Sequence, residues 1–260
     1  MTILDKIIAY KKLEVVARKE VLPLGVLEKT VCFEQATGSL SEMLKNSKTG
    51  IIAEYKRRSP SKSVINTHSM VHDVVKGYEY AGVCGISILT DTHFFGGSMD
   101  DLALARDTTE IPLLRKEFII DPYQIYEAKA FGAAVILLIA AVLNRKQLIE
   151  FSTIAKRLGL EVLLEVHNKE ELERVLVPTV DMIGVNNRDL KTFEVSLDTS
   201  KVLSPLIPDE FVKVSESGIS STEAIKELRA YGYQGFLMGE HFMKTDKPGS
   251  AAKTFIQSLS

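Results

Sequence analysis

Eight short apolar runs recur along the chain, and they constrain its fold more than any other feature. They lie at residues 50–55, 84–90, 111–118, 133–140, 160–166, 181–186, 210–217 and 235–240. Most of these runs are too continuously apolar to alternate between buried and exposed side chains. Such continuity is typical of strands that are covered on both faces of a parallel sheet. We therefore expect eight buried parallel strands.

Helix signals lie between these runs. Asp121 followed by Pro122 marks one helix start, and Ser98, Asn144 and Ser220 mark others. Glycines that suit left-handed helix ends precede four of the strands, at Gly82, Gly132, Gly159 and Gly232. Eight such units without a break in composition predict a single (β/α)₈ TIM barrel, an α/β fold. A doubly wound open sheet is the alternative, although no glycine-rich dinucleotide loop is present.

The first strand begins only near residue 50, so the preceding segment must be an addition to the barrel. Helical patterns over roughly residues 3–20 and 39–47 predict added helices that cover one end of the barrel. We interpret residues 1–260 as one barrel domain, with residues 1–48 as its N-terminal helical extension.

Composition and charge exclude several classes of function. The formal net charge of −2 gives no field that would attract nucleic acid or a membrane surface. The longest apolar run, residues 133–143, is about half of the ~20 residues that cross a bilayer. Cys32 and Cys84 have no metal-binding or redox spacing, which suits a reducing cytosol. We therefore expect a cytoplasmic protein.

Ionisable or polar side chains end five of the eight predicted strands. They are Glu54 and Lys56 on the first strand, Arg115, Lys116 and Glu117 on the third, Glu165 on the fifth, Asn186 and Arg188 on the sixth, and Glu216 and Ser217 on the seventh. The carboxyl ends of barrel strands meet on the face that carries the active site. One charged strand end is usually a solvated loop edge, but five on one rim favour a site for acid–base catalysis.

The sequence shows no metal-binding pattern, and we expect neither a metal nor a cofactor. The histidines lack close pairing with carboxylates or cysteines, and we interpret all five as surface or loop residues: His68, His72, His93, His167 and His241. A nucleophile elbow and a Walker loop are also missing. Ser59 and Ser61 lie in a loop interrupted by Pro60, beside no histidine, so we do not expect nucleophilic roles for them.

Two glycines favour a phosphorylated small molecule as the substrate. Gly218 and Gly239 follow the seventh and eighth strands, whose loops often bind phosphate in barrels. Without a Cβ, each would let backbone N–H groups approach an anion closely. Each glycine could also be an ordinary turn, so the pair is more informative than either one.

Seven segments resemble the indole-3-glycerol-phosphate synthase family in order and spacing. They are IIAEYKRRSPS, ILTDTHFFGGS, LLRKEFIIDPYQI, LLEVHN, IGVNNRDL, VSESGI and FLMGE. The similarity extends from about residue 30 to the C-terminus, and the N-terminal helices resemble that family's extension. It implies a barrel enzyme of tryptophan biosynthesis that needs no cofactor. Such an enzyme closes 1-(2-carboxyphenylamino)-1-deoxyribulose 5-phosphate to indole-3-glycerol phosphate, releasing CO₂ and water.

The resemblance also implies roles for individual residues. Lys116 resembles the general acid that protonates the substrate ketone, and Glu165 the group that accepts or returns a proton during dehydration. Lys56 resembles the contact to the substrate carboxylate and phosphate, and the step at which each lysine acts is open. The supporting catalytic set is Glu54, Asn186 and Glu216. The implied substrate-binding set is Ser59, Pro60, Phe95, Phe118, Arg188, Ser217, Gly218, Gly239 and Glu240.

Within this set, Pro60, Phe95 and Phe118 resemble an apolar wall for the anthranilate ring, although barrel-mouth packing also explains Phe118. Glu240 stands where some relatives carry serine, so its carboxylate must point away from a phosphate.

Two other functions are considered. A phosphoribosylanthranilate isomerase needs a cysteine and an aspartate as its acid–base pair. Cys84 lies at the start of the second strand, which is the wrong end of the barrel for an active site. A non-catalytic barrel that only binds a phosphosugar would be expected to lack Lys116 or Glu165. We expect a monofunctional monomer.

Overall fold

The computed structural model describes residues 2–190 and 192–259, and at its centre eight parallel strands form a closed barrel. The strands are β1 (Ile51–Tyr55), β2 (Gly85–Leu89), β3 (Leu113–Lys116), β4 (Val135–Ile139), β5 (Glu161–Val166), β6 (Met182–Asn186), β7 (Val212–Glu216) and β8 (Gly235–Met238). Each strand pairs with the next one along the chain, and β8 pairs with β1. Every predicted apolar run contains one strand, so the predicted (β/α)₈ barrel is confirmed.

Helices precede, connect and follow the strands. They are α1 (Ile3–Val21), α2 (Leu24–Leu27), α3 (Val31–Glu34), α4 (Leu40–Lys45), α5 (Val71–Ala81), α6 (Met99–Thr108), α7 (Tyr123–Ala130), α8 (Arg145–Arg157), α9 (Lys169–Val175), α10 (Asp198–Leu203), α11 (Thr222–Ala230), α12 (Glu240–Met243) and α13 (Pro248–Gln257). A 3₁₀ turn at Ser204–Leu206 follows α10. Among the described residues, no helix is both long and apolar enough to cross a membrane.

The caps decide where these helices begin. The side chains of Ser98 and Asn144 cap α6 and α8, as predicted. The other two helix starts lie one residue later than predicted. Helix α7 begins at Tyr123, and Ser221 caps α11 because its hydroxyl accepts a hydrogen bond of 3.2 Å from Ala224 N.

Helix α4 closes the end of the barrel at which the strands begin. Its Leu40 and Leu44 side chains pack against Gly85 and Gly235, the first residues of β2 and β8: a Cβ on Gly85 would lie 2.6 Å from Leu40 Cδ1, and one on Gly235 would lie 3.0 Å from Leu44 Cδ1. Glu161, which starts β5, accepts a hydrogen bond of 2.7 Å from Leu40 N at the helix N-terminus. This contact suits a carboxylate, because the first turn of a helix has free N–H groups.

Helix α1 crosses the opposite end of the barrel. Its Lys11 side chain is only 1% exposed, and Nζ lies 2.9 Å from Asp91 and 3.0 Å from Glu117. Asp91 and Glu117 follow β2 and β3, so the helix is bound to the rim where the strands end. The prediction that both added helices cover one end of the barrel is therefore wrong. Helix α4 packs on one end of the barrel through apolar side chains, and α1 binds the other end through a buried lysine.

Replacing Lys11 by methionine would test this attachment. The change leaves Asp91 and Glu117 buried without their cation, and removal of one partner from a buried ion pair typically costs about 3–5 kcal/mol. We expect Lys11→Met to lower the free energy of unfolding by about that amount in urea denaturation. Lys12, the exposed neighbour on α1, provides the matched control Lys12→Met. Equal stability of the two variants would contradict this attachment.

Candidate active site

A cavity of about 400 Å³ opens at the carboxyl ends of the strands. We call it the barrel-mouth cavity. Every residue of the implied catalytic and substrate-binding sets lines it: Glu54, Lys56, Ser59, Pro60, Phe95, Lys116, Phe118, Glu165, Asn186, Arg188, Glu216, Ser217, Gly218, Gly239 and Glu240. Arg115, which the sequence analysis also placed on this rim, does not line the cavity, because its side chain is buried against α7 and lies 3.2 Å from Glu127. The (β/α)₈ topology alone brings the residues of these two sets together, because they come from five strands and from the loops that follow six strands.

Lys116 lies on the floor of this cavity, between two carboxylates. Its Nζ lies 3.2 Å from Glu165 Oε2 on β5 and also contacts Glu216 Oε2 on β7. Burial disfavours the ammonium, but the charges of Glu216, Glu165 and Glu54 outweigh this effect and raise the pKa of Lys116. The side chain is therefore a charged proton donor that carboxylates from two strands hold in place.

The two carboxylates around Lys116 have opposite pKa shifts. Burial raises the pKa of Glu165, but Lys116 and His167 more than offset this effect and lower it. Burial raises the pKa of Glu216 to about 7, because the attraction of Lys116 is opposed by the charges of Glu165 and Glu54. Two acids whose surroundings separate their pKa values in this way suit different proton-transfer tasks.

Lys56 and Glu54 form a second charged pair at the mouth. Lys56 Nζ lies 2.6 Å from Glu54 Oε1, and the lysine side chain is 20% exposed whereas the glutamate is 4% exposed. Their two-residue spacing places both on the cavity face of β1 and its extension. Lys56 is thus an accessible cation, in contrast to the enclosed Lys116.

Two glycines make room for the carboxylates. A Cβ on Gly184 in β6 would overlap Glu216 Oε1, and one on Gly239 would lie 2.6 Å from Glu54 Oε1. The sequence analysis interpreted Gly239 as a residue that lets an anion approach the backbone. The structure adds a second reason for glycine there, because any larger residue would displace Glu54.

Phe95 and Phe118 form an aromatic wall on one side of the cavity. Their ring centroids lie 5.9 Å apart. Asp91 accepts a hydrogen bond of 3.2 Å from Phe95 N, and Glu117 accepts one of 2.8 Å from Phe118 N. These are the two carboxylates that Lys11 binds, so α1 supports the backbone of the aromatic wall.

The loops after β7 and β8 form the other side of the cavity. Ser217 and Gly218 both have positive φ, 67° and 78°, and both line the cavity. Glu240 follows β8, and its carboxylate lies 2.9 Å from Lys62 Nζ, which lowers its pKa. Arg188 donates a hydrogen bond of 3.1 Å to Phe193 O. The Glu240 carboxylate is therefore paired with Lys62.

Other parts of the cavity wall were missed by the sequence analysis. Ile3, Leu4 and Ile7 of α1 line it directly. A signal for them exists, because Ile7, Lys11 and Val15 are spaced four apart and are all buried. A lysine within an otherwise apolar stripe of a helix indicates a buried charged partner rather than a solvated face.

His167 lies in the loop after β5, within the prediction that the five histidines are surface or loop residues, but it is not a solvated side chain. Its side chain is 9% exposed, and Nε2 lies 3.3 Å from Glu165 Oε1. The alternation argument used for Glu54 and Lys56 would have found it, since His167 lies two residues after Glu165. His241 is also partly buried and lines the cavity. The described part of the chain contains no group of three or more His, Cys, Asp or Glu side chains that could hold a metal ion.

The fold is that of a (β/α)₈ barrel enzyme, and its cavity brings together ionisable groups suited to acid–base catalysis. The family model for indole-3-glycerol phosphate synthase matches residues 4–255. The chain belongs to this family of decarboxylating lyases in tryptophan biosynthesis. Its function is the ring closure of 1-(2-carboxyphenylamino)-1-deoxyribulose 5-phosphate to indole-3-glycerol phosphate.

Individual relatives agree with this assignment. Indole-3-glycerol phosphate synthase from Bacteroides thetaiotaomicron is 45% identical and aligns over 99% of this chain and 98% of its own length. The corresponding protein from Alkaliphilus metalliredigens is 46% identical, with 99% of both chains covered. The solved structure of 3-hexulose-6-phosphate synthase from Salmonella typhimurium has a TM-score of 0.65 at 13% identity, covering 81% of this chain and 98% of its own. At that identity it shows the fold alone.

Glu216→Gln is expected to stabilise the protein in a pH-dependent way. The pKa of Glu216 is about 7 in the folded protein and usually 4.5, so the folded state binds the proton more tightly. The carboxyl group therefore destabilises the folded state increasingly as pH rises from about 4.5 to about 7. The difference in free energy of unfolding between the variant and the unchanged protein should therefore favour the variant by roughly 1–3 kcal/mol more at pH 8 than at pH 5. Melting temperatures measured at both pH values would show this gain.

Glu150→Gln is the matched control, because Glu150 is an exposed acid on α8. Its effect on the melting temperature should be the same at pH 5 and pH 8. A Glu216→Gln effect that is also independent of pH would contradict the raised pKa. The same variant should have a lower kcat, since such sites commonly trade stability for function.

Proposed function

We propose that Lys116 is the general acid of the ring closure and that Glu165 accepts a proton later in the reaction. One observation carries this assignment: the Lys116 ammonium lies on the cavity floor, in contact with carboxylates from β5 and β7. A general acid must carry a proton and be held where the reacting oxygen will lie. Lys116 is the enclosed, doubly paired lysine of the cavity, whereas Lys56 lies nearer to solvent.

The chemistry of the reactant and product defines what these groups must do. The ring carbon that bears the carboxylate attacks the ketone carbon, and the ketone oxygen takes a proton from Lys116 to become a hydroxyl. Loss of CO₂ leaves its bonding electrons in the ring and restores aromaticity. The hydroxyl then leaves as water with a second proton, which Lys56 donates, while Glu165 takes a proton from the carbon next to nitrogen. The product is the indole ring.

The remaining residues suit the other parts of the substrate. The Phe95 and Phe118 wall offers an apolar surface to the anthranilate ring. Lys56 is the accessible cation for the substrate's anionic groups, and Glu54 fixes it at 2.6 Å. The turn at Ser217 and Gly218, which lines the cavity after β7, suits the phosphate, because loops after the seventh and eighth strands of barrels often bind phosphate.

The two alternative functions have no support in the site. Cys84 is 3% exposed and lies at the start of β2, away from the barrel-mouth cavity. A cysteine there cannot serve the acid–base chemistry of a phosphoribosylanthranilate isomerase. A barrel that only binds a phosphosugar would not need Lys116 enclosed by two carboxylates, an arrangement that is unfavourable unless both partners are present.

Two substitutions at Lys116 separate proton donation from charge attraction. Lys116→Met keeps the apolar stem but removes the proton, and we expect kcat to fall by about 10²–10⁴-fold. KM should change far less, because the aromatic wall and the phosphate loops remain. Lys116→Arg keeps the charge, but in the same surroundings guanidinium holds its proton more tightly than an ammonium does, so this variant should also be nearly inactive.

Fluorescence of the indole product measures both rates with little background, since the chain contains no tryptophan. Lys45→Met is the control, because Lys45 is an exposed lysine on α4 at the other end of the barrel. It should leave kcat and KM unchanged. A folded Lys116→Met variant within tenfold of the unchanged enzyme's kcat would transfer the role of general acid to Lys56.

We also propose that the protein works as a monomer in the cytoplasm. This is supported by a cavity wall that one chain provides, from α1 to α12, and by the unpaired thiols of Cys32 and Cys84. Light scattering of the active enzyme should give the mass of one chain, 28.8 kDa. Activity confined to a larger species, or recovery of the enzyme outside the cytosolic fraction of its cells, would contradict the proposal.

A further inference from the structure

His167 lies beside Glu165 and has no part in the steps described above. It directly follows β5, two residues after Glu165, so the two side chains point to the same face. His167 Nε2 lies 3.3 Å from Glu165 Oε1, and Lys116 Nζ lies 3.2 Å from Glu165 Oε2. The Glu165 carboxylate therefore has a nitrogen group beside each of its oxygens.

Glu171 fixes the His167 ring from the other side. Glu171 Oε2 lies 3.2 Å from His167 Nδ1 and also accepts a hydrogen bond of 2.8 Å from His167 N. Glu171 is itself held in the first turn of α9, where its N–H donates to the Asn168 side chain at 2.8 Å. A carboxylate at Nδ1 orients the imidazole and favours its charged form.

The ring is a cation at neutral pH. Burial lowers the pKa of His167, but the carboxylates of Glu165 and Glu171, one beside each ring nitrogen, raise it to about 10. The Nε2 atom is buried and has no aligned hydrogen bond in this structure. Its interaction with Glu165 is therefore one of charge, and its N–H is not committed to any other acceptor.

The reaction creates a need for this second cation. When Lys116 gives its proton to the ketone oxygen, it becomes a neutral amine, and Glu165 loses the charge that offsets its burial. A buried carboxylate without a cation has a raised pKa and takes up a proton. Glu165 would then be protonated before the dehydration step, in which it has to accept a proton.

We propose that His167 is a positioning residue that fixes the Glu165 carboxylate and keeps it ionised after Lys116 has given up its proton. This inference rests on the proposed roles of Lys116 and Glu165. His167 keeps its own proton throughout and does not touch the substrate. Glu171 completes the arrangement by holding the imidazolium in the orientation that faces Glu165.

The charged groups around this arrangement come from four elements. Lys116 on β3 and His167 after β5 face Glu165 directly, and Glu171 on α9 faces His167. Glu216 on β7 lies on the far side of Lys116 and disfavours a second anion nearby. Of these neighbours, His167 is the cation that remains while Lys116 is neutral, so the pH dependence of the reaction should respond to it.

Replacing His167 by glutamine would test the proposal, because glutamine keeps an N–H donor of similar reach but has no charge. We expect kcat to fall about tenfold or more, with KM within about twofold. The acid limb of the kcat–pH profile should move up by about one unit or more, since loss of a cation within 4 Å raises a carboxyl pKa. Glu171→Gln should move it in the same direction by less.

Two comparisons keep this result interpretable. His72→Gln changes an exposed histidine on α5, remote from the cavity, and should leave kcat and the pH profile unchanged. In the Glu165→Gln background, His167→Gln should cause no further fall in the single-turnover rate, because His167 acts through Glu165. Circular dichroism would verify folding, and Glu171→Gln would replace His167→Gln as the decisive variant if the latter does not fold.

Three outcomes would overturn the inference. They are an unchanged kcat and acid limb in His167→Gln, a lower kcat with an unmoved acid limb, and an equal fall in the Glu165→Gln background. Failure of the proposed function gives a different result, because Glu165→Gln would then remain active. A severe loss in Glu165→Gln together with unchanged kinetics in His167→Gln would reject the role of His167 alone.

Discussion

The contact of Lys116 with two buried carboxylates is the interaction on which the rest of the site depends. An ammonium and a carboxylate at the mouth of a barrel are each unfavourable when buried alone. Together, Lys116 and Glu165 lie 3.2 Å apart, and each keeps the other charged. Because these residues lie on different strands, the charge balance holds only when the barrel is closed. Catalytic protonation states and the fold are therefore set by the same contacts.

A second buried lysine extends this arrangement outward. Lys11 balances Asp91 and Glu117, and those carboxylates in turn accept hydrogen bonds from the backbone of Phe95 and Phe118. The N-terminal extension is thus joined to the site by charge rather than by an apolar face. This layer fixes the shape of the aromatic wall, whereas Lys116 and its partners supply the reactive protons.

The site also has an unfavourable balance of charge, which lowers the stability of the folded protein. Glu54, Glu165 and Glu216 converge on one lysine, and Glu216 consequently has a raised pKa. Glycine at positions 184 and 239 leaves room for the side chains of Glu216 and Glu54. These features lower stability and would be removed if packing alone determined the sequence, which is why they indicate a site selected for function.

The sequence by itself determined the eight strands, the barrel and the strand ends that form the mouth, because apolar continuity and two-residue alternation are local properties. The same local reasoning placed Glu54 and Lys56 on one face. Only the tertiary structure decided which charges meet. It assigned α1 and α4 to opposite ends of the barrel and gave the buried side chains of Lys11 and His167 their partners. Local spacing indicates that both side chains face inward, but it does not show which charges they meet: the partners of Lys11 lie on the loops after β2 and β3, and the direction of the chain after β5 decides that His167 faces Glu165.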